Sequence, residues 1–592
     1  MSSIQIGRLM FDGLLPTRPG TEPLVDALRA CRGHLAGAAV FSALVNLLYL
    51  TPTLYMMQVY DRVVPTGGLM TLALISAVAL FALATLAGLD WLRTRVLVRL
   101  GLELNDRLAP SILGRAMDSI GRPQGAQILR EFDQVRAALA GQGTLAVFDA
   151  PWTPLYLACC VLLHPTIGVL TLLGGAVLFG LAWANERDAR GKLVRANRST
   201  TGAYALQEGL ISQAEVVRAL GMRRASISIQ VVGRRTAIDQ QVNAQFTGGR
   251  YSGAIKFFRL ALQSAALGLA AWLVVKGEMS PGSIIASSVL LSRAVSPIEQ
   301  LVGAWPGLVQ ARTGWLALVD LFAETQDPER PRMRLPAPAG RLSVDGLGVR
   351  LPGSEAWTLK GVGFSLSPGQ TLGVIGPSGS GKTTLARVLA GGLAPTVGAL
   401  RLDGDEYQAR DGDDLARHIG YLPQSPTLFA GTIRDNISRL GTANGGDPVE
   451  IDAAVVAAAQ KAGVHSLIQR LPQGYDTVLG PGGAGVSAGQ AQRLALARAL
   501  YGDPVLLVLD EPNASLDQEG ETALMAGIGV ALARGACVVI VAHRAGVLAR
   551  VDRLLALRDG AVQLEGPREE VLSRLRGEPA DKGPSVKSGA TK

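Results

Sequence analysis

Residues 376–384, GPSGSGKTT, carry the most specific chemistry in the chain. Gly376, Gly379 and Gly381 let a backbone curl until its N–H groups face a row of phosphates, with Pro377, Ser378 and Ser380 completing the loop. Lys382 supplies a cation for the β- and γ-phosphates, the Thr383 hydroxyl is placed to bind Mg²⁺, and Thr384 continues into a helix. The context fits. A strand-like run, Thr371–Ile375, precedes the loop and a helical pattern, LARVLAG, follows it, so the helix N-terminus adds a dipole that favours an anion.

Farther along, an apolar run at 506–509 ends in Asp510, Glu511 and Pro512. A carboxylate that ends a strand beside a phosphate loop is placed to hold Mg²⁺, which assigns Asp510 to the metal and Glu511 to the attacking water. Acidic residues often end strands; it is the pairing with the phosphate loop that points to nucleoside triphosphate hydrolysis. Three further residues stand out: Gln424 in YLPQ, which ends an apolar stretch, Ser487 in VSAGQAQR (486–493), which opens a helical pattern, and His543 after the strand-like VVIVA. Ser487 at a helix start suits contact with an anion; by itself it would be an ordinary N-cap serine.

These residues need a scaffold. From Gly340 onward the sequence alternates short β-like runs, glycine turns and amphipathic helices, the pattern of an α/β domain. The preceding part is different. The chain has 592 residues, too many for one core. Only 18% are charged and the mean hydropathy is +0.27, and the apolar excess lies in the first 310 residues. The net charge of +9 would suit a nucleic acid only with clustered Lys/Arg on a reading module, and none is present. The basic residues instead flank apolar segments, as on the cytoplasmic side of a membrane. The four cysteines are too few for a disulfide framework and form no metal pattern, so they read as small buried apolar residues. The N-terminus shows no apolar core followed by a cleavage site, so no removable signal peptide is expected.

Residues 35–60 and 63–89 contain no charge, and each is long enough to cross a hydrocarbon core, which takes about 20 residues. Gln58, Asp61, Arg62 and residues 65–68 are expected to form a short turn between them. The uncharged stretch 150–185 is too long for one helix, and His164–Pro165 is expected to divide it into a hairpin, with His164 a solvated turn residue. A fifth span is expected at 257–275 and a sixth after the 276–282 turn, to about residue 308. The connectors 92–140 and 186–250 are polar, the second with eleven Lys/Arg against five Asp/Glu. The positive-inside bias places them, and both termini, in the cytoplasm. Arg293 and Glu299 lie in the sixth span, where a charge costs about 2.5–3.5 kcal/mol at mid-bilayer. Two readings stand: the helix lines a pathway, or the two charges pair near its cytoplasmic end. The expected organisation is a segment 1–30, a six-helix membrane domain 31–322, a charged proline-rich linker 323–338, an α/β domain 339–575 and a disordered tail 576–592.

The ordered set of phosphate loop, Gln424, VSAGQ, Asp510–Glu511, NASLD and His543 resembles the ATP-binding cassette (ABC) family over about 200 residues. The resemblance implies ATP and Mg²⁺ as ligands. It makes Gln424 the sensor of Mg²⁺ and γ-phosphate, and His543 a group that stabilises the transferring phosphate. Ser487 and Gly489, with Gln490 in the same motif, would contact ATP held mainly by a second copy, and Asp517 would lie on the dimer seam. The motif reads VSAGQ where the family commonly has LSGGQ. Leu351 stands where the family usually has an adenine-stacking tyrosine, with Trp357 nearby as its substitute.

Six spans before one cassette resemble an exporter half-transporter, which works as a homodimer. Residues 50–68 (LTPTLYMMQVYDRVVPTGG), 148–165 (FDAPWTPLYLACCVLLHP) and 292–305 (SRAVSPIEQLVGAW) resemble type I secretion permease/ATPases of the PrtD kind. That likeness implies an inner-membrane protein surrounded by lipid, without nucleic acid. It would export an unfolded protein carrying a C-terminal signal, with a periplasmic membrane fusion protein and an outer-membrane channel as partners. About 30 residues before the first span leave no room for the peptidase-like domain of some relatives. A lipid, drug or peptide exporter of the same architecture is the alternative.

Overall fold

A computed structural model describes residues 18–118, 127–325, 335–351, 354–542 and 548–576, in two compact units, Met1–Glu329 and Arg330–Lys592. The expected tail and most of the expected linker lie outside the described residues.

The first unit is helical. Helix α1 (Glu22–Ala30) is followed by α2 (Arg32–Leu48) and α3 (Thr51–Gln58), which runs on through a π-turn, Val59–Val63, to Thr66. The expected turn at 58–68 is therefore shorter than the polar residues suggested. Pro65 comes near the end of this continuous helical run, where it cannot donate an N–H to the turn before it, and the chain reverses at Gly67 with φ 63°. Asp61 in the π-turn fastens two distant parts of the chain, accepting from the Gly282 N–H at 2.6 Å and the Ser280 hydroxyl at 2.7 Å. A carboxylate thus faces the N-terminus of the last membrane helix, where the dipole favours it.

Helix α4 (Leu69–Asp118) joins the second span to its polar extension in one helix of 50 residues, about 75 Å long at 1.5 Å per residue. The third segment is α5 (Ile128–Leu139), α6 (Gln142–Asp149), a 3₁₀ turn and α7 (Thr153–Leu163). Helix α8 (Pro165–Ser212) then starts as expected at Pro165, capped by His164, whose Nδ1 accepts from the Thr166 N–H at 3.3 Å. Helices α9 (Arg223–Val275) and α10 (Gly282–Glu324) complete the unit.

Five helical stretches among the described residues are long and apolar enough to cross a membrane, and α10 is the sixth long helix of the unit. Side chains such as Leu74, Val78 and Phe81 on α4 are exposed, as a lipid-facing surface requires. Helix α10 is more polar because it is packed inside: Ser283, Ser287 and Ser288 are buried, against α5, α7, α8 and α9. Glu299 pairs with Arg259 of α9 at 2.8 Å, not with Arg293. Six positions apart on one helix, Arg293 and Glu299 point to different sides, whereas neighbours lie three or four apart. The reading in which these two charges pair is thereby corrected. All four cysteines are unbridged; Cys31, Cys160 and Cys537 are buried and Cys159 is partly so.

The second unit holds two main sheets among its described residues. Strands β1 (Leu342–Arg350), β2 (Trp357–Leu366), β4 (Val397–Leu402) and β5 (Asp405–Glu406) form an antiparallel sheet in the order β2-β1-β4-β5. Strands β3 (Thr371–Ile375), β6 (Ile419–Leu422), β9 (Leu506–Asp510), β10 (Cys537–Val541), β11 (Arg553–Arg558) and β12 (Ala561–Pro567) form the other, in the order β12-β11-β3-β10-β9-β6. A small pair, β7 (Gly431–Thr432) and β8 (Val478–Leu479), stands apart. In the larger sheet all strands but β12 run parallel. Such strands are covered on both faces and read as continuous apolar runs. Accordingly Leu506, Val508, Val539 and Val541 enter one core, while Leu507, Leu509, Val538 and Ile540 enter the other. Helices α11 (Lys382–Leu389), α12 (Pro448–Lys461), α13 (Ala488–Leu500) and α14 (Gln518–Ala533) carry the remaining site residues or pack beside them.

Candidate nucleotide-binding site

The site forms at the carboxyl edge of the parallel sheet, where ligands bind in open α/β folds. Val374 of β3 is level with Val541 of β10, Val541 with Asp510 of β9, and Leu509 with Leu422 of β6. The residues that follow these strands, Gly376, Glu511 and Gln424, therefore leave the sheet along one rim. His543 lies outside the described residues.

The phosphate loop has the backbone its sequence requires. Gly376, Gly379 and Gly381 have φ of 156°, 80° and 94°, values that side chains disfavour. At Gly381 a Cβ would also come within 2.7 Å of Leu359 and 2.8 Å of the Thr358 carbonyl. Gly381 caps α11 without a side-chain acceptor, so the first amides of the helix are left for a ligand. Buried Ser380 has a hydroxyl with no hydrogen-bond partner. Both features fit an anionic group in the loop. Pro377 and Ser378 are exposed on its rim, as is Thr383, while Thr384 is half-buried.

Lys382 is 6% exposed and folds over the loop, donating from Nζ to the Gly376 carbonyl at 3.0 Å and the Pro377 carbonyl at 2.8 Å. Burial draws its ammonium below the ordinary lysine range, against the opposing pull of the Glu511 and Asp510 carboxylates. The two carboxylates thus act electrostatically on the lysine. Asp510 is fully buried at the end of β9. The exposed Thr383 hydroxyl and the Asp510 carboxylate are hard oxygen donors, the kind that Mg²⁺ takes. Gln424 is exposed at the end of its strand.

Ser487 N-caps α13 in a capping box: its hydroxyl accepts from the Gln490 N–H at 3.3 Å, and the Gln490 side chain accepts from the Ser487 N–H at 2.9 Å. A Cβ on Gly489 would lie 3.1 Å from the Ser515 carbonyl, so the small residue lets α13 approach the segment after Pro512. Asp517 caps α14, accepting from the Gly520 N–H at 2.9 Å. Two residues outside the sequence reading fasten these parts together. Arg493 donates to the Asp517 carboxylate at 2.5 Å, and Gln492 to the Pro512 carbonyl at 3.1 Å. Both follow directly in the VSAGQAQR run, yet nothing local reveals partners 24 and 20 residues away. Among the described residues no hydrogen bond or ion pair joins Ser487 to the phosphate loop.

Trp357 opens β2 opposite Arg350 of β1, whose guanidinium lies 4.0 Å over the ring. Leu351 follows, half-buried. One face of the Trp357 ring is thus covered by the Arg350 guanidinium.

The chain is similar to known proteins over most of its length. The ABC transporter family profile matches residues 359–514. A type I secretion system ATP-binding protein, PrsD of Rhizobium meliloti (strain 1021), is 42% identical over 93% of this chain and 94% of its own length. The alpha-hemolysin translocation ATP-binding protein HlyB of Escherichia coli is 28% identical over 90% of this chain and 76% of its own. The structure of a bacterial Atm1-family ABC exporter with ATP bound has the same fold, with a TM-score of 0.77 and 23% identity over 92% of this chain and 96% of that one.

Proposed function

This chain belongs to the ABC transporters, among the type I secretion ATP-binding proteins, and from that premise we propose that two identical copies hydrolyse ATP to move an unfolded polypeptide across the inner membrane. The exporter combines a helical membrane domain with an ATP-binding, ATP-hydrolysing cassette. The proposed domains are the segment 1–30, the membrane domain 31–322, the linker 323–338, the cassette 339–575 and the tail 576–592.

One observation carries the dimeric site. Lys382 comes in the loop and helix after β3, and Asp510 and Glu511 end and follow β9, at one edge of the sheet, while Ser487, at a separate helix start, makes no hydrogen bond or ion pair with the loop among the described residues. The serine is left to face nucleotide held by a second copy, and a two-fold dimer supplies that pairing twice.

In this reading the free amides of α11 and the Lys382 ammonium bind the phosphates. Thr383 and Asp510 would hold Mg²⁺, with Gln424 beside them, and the ion when bound neutralises charge on the β- and γ-phosphates. Glu511 orients the attacking water and accepts its proton, and His543 supports the transferring phosphate. From the second copy, Ser487 and Gly489 donate to the γ-phosphate, Gln490 fixes Ser487 through the capping box, and Asp517, steadied by Arg493, lines the seam. Closing and reopening of the cassette pair is a two-state element that ATP biases, and the membrane helices follow it. A periplasmic membrane fusion protein and an outer-membrane channel complete the route, and the kinship with type I secretion proteins supports them.

Deleting the gene and comparing proteins in the culture medium tests the reading. At least one secreted protein should vanish, returning with the wild-type gene but not with a Glu511→Gln copy. An unchanged protein profile together with altered lipid or drug export would overturn it.

A further inference from the structure

The membrane unit contains a partly open polar cavity of 210 Å³, more than ten times the roughly 15 Å³ that one water needs. One wall is organised around a buried cation. Arg93 of α4 places Nη1 2.7 Å from the Asp149 carboxylate and Nη2 2.7 Å from that of Asp90. The Nη1 also donates to the Ser42 hydroxyl at 2.9 Å. Asn46 donates to Asp149 at 2.8 Å, and the Tyr156 hydroxyl donates to the Asn46 carbonyl at 2.8 Å. Both carboxylates on the wall are therefore engaged by a single arginine, Asp149 in a buried setting and Asp90 in a partly exposed one.

The lining carries Arg93 and Arg293 against Asp90 and Asp149, and Arg293 is the cation that neither carboxylate engages directly. It reaches the same cavity from α10, 11 residues past Gly282, or about 17 Å along the helix axis. Its guanidinium lies 3.7 Å over the Tyr49 ring, and it enters no ion pair or hydrogen bond among the described residues. Stacking on an aromatic face steadies a guanidinium without consuming its N–H donors. Ser296 and Gln300, on the same helix, add neutral polar groups to the lining. An unpaired guanidinium inside a membrane domain is expensive, and such groups mark transport paths. Five donors in a planar fork match a carboxylate or a phosphate, and the carboxylate is the one that a polypeptide itself carries.

We propose that Arg293 and Tyr49 form a carboxylate-binding station for the transported polypeptide, taking an acidic side chain or the chain's terminal carboxylate. This rests on the reading of the protein as a polypeptide exporter.

The test uses the full-length protein in nanodiscs of neutral phosphatidylcholine and fluorescein-labelled short peptides of one uncharged sequence. One peptide carries a single glutamate and an amidated end, one a glutamine and a free terminal carboxylate, and one a glutamine and an amidated end. Fluorescence anisotropy should show at least one carboxylate peptide binding about ten-fold or more tighter than the neutral one, as charge-assisted hydrogen bonds allow. The tighter peptide identifies the source of the carboxylate. Arg293→Gln should abolish the preference while leaving the neutral peptide's affinity in place, and Arg293→Lys should keep part of it. If Arg293→Gln does not fold, Tyr49→Leu serves instead, with a reduced preference expected and an undiminished one overturning the proposal. Equal binding of all three peptides by the wild type, or a preference that survives Arg293→Gln, overturns the station alone. A wild type that binds none of the peptides overturns the polypeptide-export reading with it.

Discussion

The backbone N–H of Glu511 donates to the Val541 carbonyl at 2.9 Å, with Glu511 held in the left-handed region at φ 50°. This bond extends the pairing of β9 with β10 one residue beyond Asp510 and Val541. Asp510 is thereby the buried last residue of the strand, and Glu511 the first residue beyond it. A non-glycine residue in this conformation costs of order 1–3 kcal/mol and persists where surrounding structure over-determines it, commonly at functional sites.

Glu511→Gln keeps the shape and the backbone bond but removes the base. Turnover should fall by at least about 100-fold, the usual contribution of a positioned general base, with ATP still bound. Phosphate release and nucleotide binding, measured on the same preparation, check this, and undiminished hydrolysis would remove Glu511 from its role.

Lys382→Ala deletes the cation and leaves the Gly376 and Pro377 carbonyls without their donor. A hydrogen bond to a charged group contributes about 1.5–3 kcal/mol, so ATP affinity should drop about 10- to 100-fold. Isothermal titration of the full chain reads it directly.

The Arg93–Asp149 pair is buried on both sides, and removing one partner of such a pair costs about 3–5 kcal/mol. Arg93→Met should therefore unfold at a clearly lower temperature in detergent. Arg93→Met combined with Asp149→Leu should recover part of the loss. A double variant no better than the single would show that the pair contributes nothing as a pair.

Asp403 gives a pH-dependent prediction. Burial pushes its carboxyl up, but the N–H groups of Arg341, Gly340 and Ala339 and the Arg410 guanidinium outweigh it and hold the carboxyl below the usual range. A depressed carboxyl stabilises the fold above its unfolded pKa, about 3.9, and that stability is lost as pH falls through the lower folded value. Asparagine, like aspartate, tolerates the positive φ of 56° at this position, so Asp403→Asn tests the charge without straining the backbone. The variant should melt below the wild type at pH 7, and the gap should narrow as the pH drops below about 4.

What was legible in the sequence was whatever is contiguous. The strand, loop and helix around Lys382 form one continuous segment, and the Asp510–Glu511 pair ends a strand whose apolar run announces burial on both faces. The membrane helices announced themselves by lack of charge, but their ends did not. Helix α4 passes from apolar to polar composition without any change in its backbone period, so a span and its extension form one element. The polar residues around Asp61 looked like a turn because polarity is the usual turn signal, whereas here a carboxylate serves a helix start 221 residues away. The same limit hid the partner of Glu299, which is Arg259 on the neighbouring helix, and that of Asp517, which is Arg493. Long-range pairing leaves no spacing to read.

The shared site is tested most directly by mixing two inactive proteins. Lys382→Ala and Ser487→Ala copies are co-expressed with different tags, and the mixed dimers are purified through both. In such a dimer one site carries both defects, while the other joins the intact lysine of one copy to the intact serine of the other. The account predicts that the doubly tagged protein regains up to about half the wild-type ATPase rate, one of two symmetric sites being whole. Mixed dimers as inactive as either parent would contradict it.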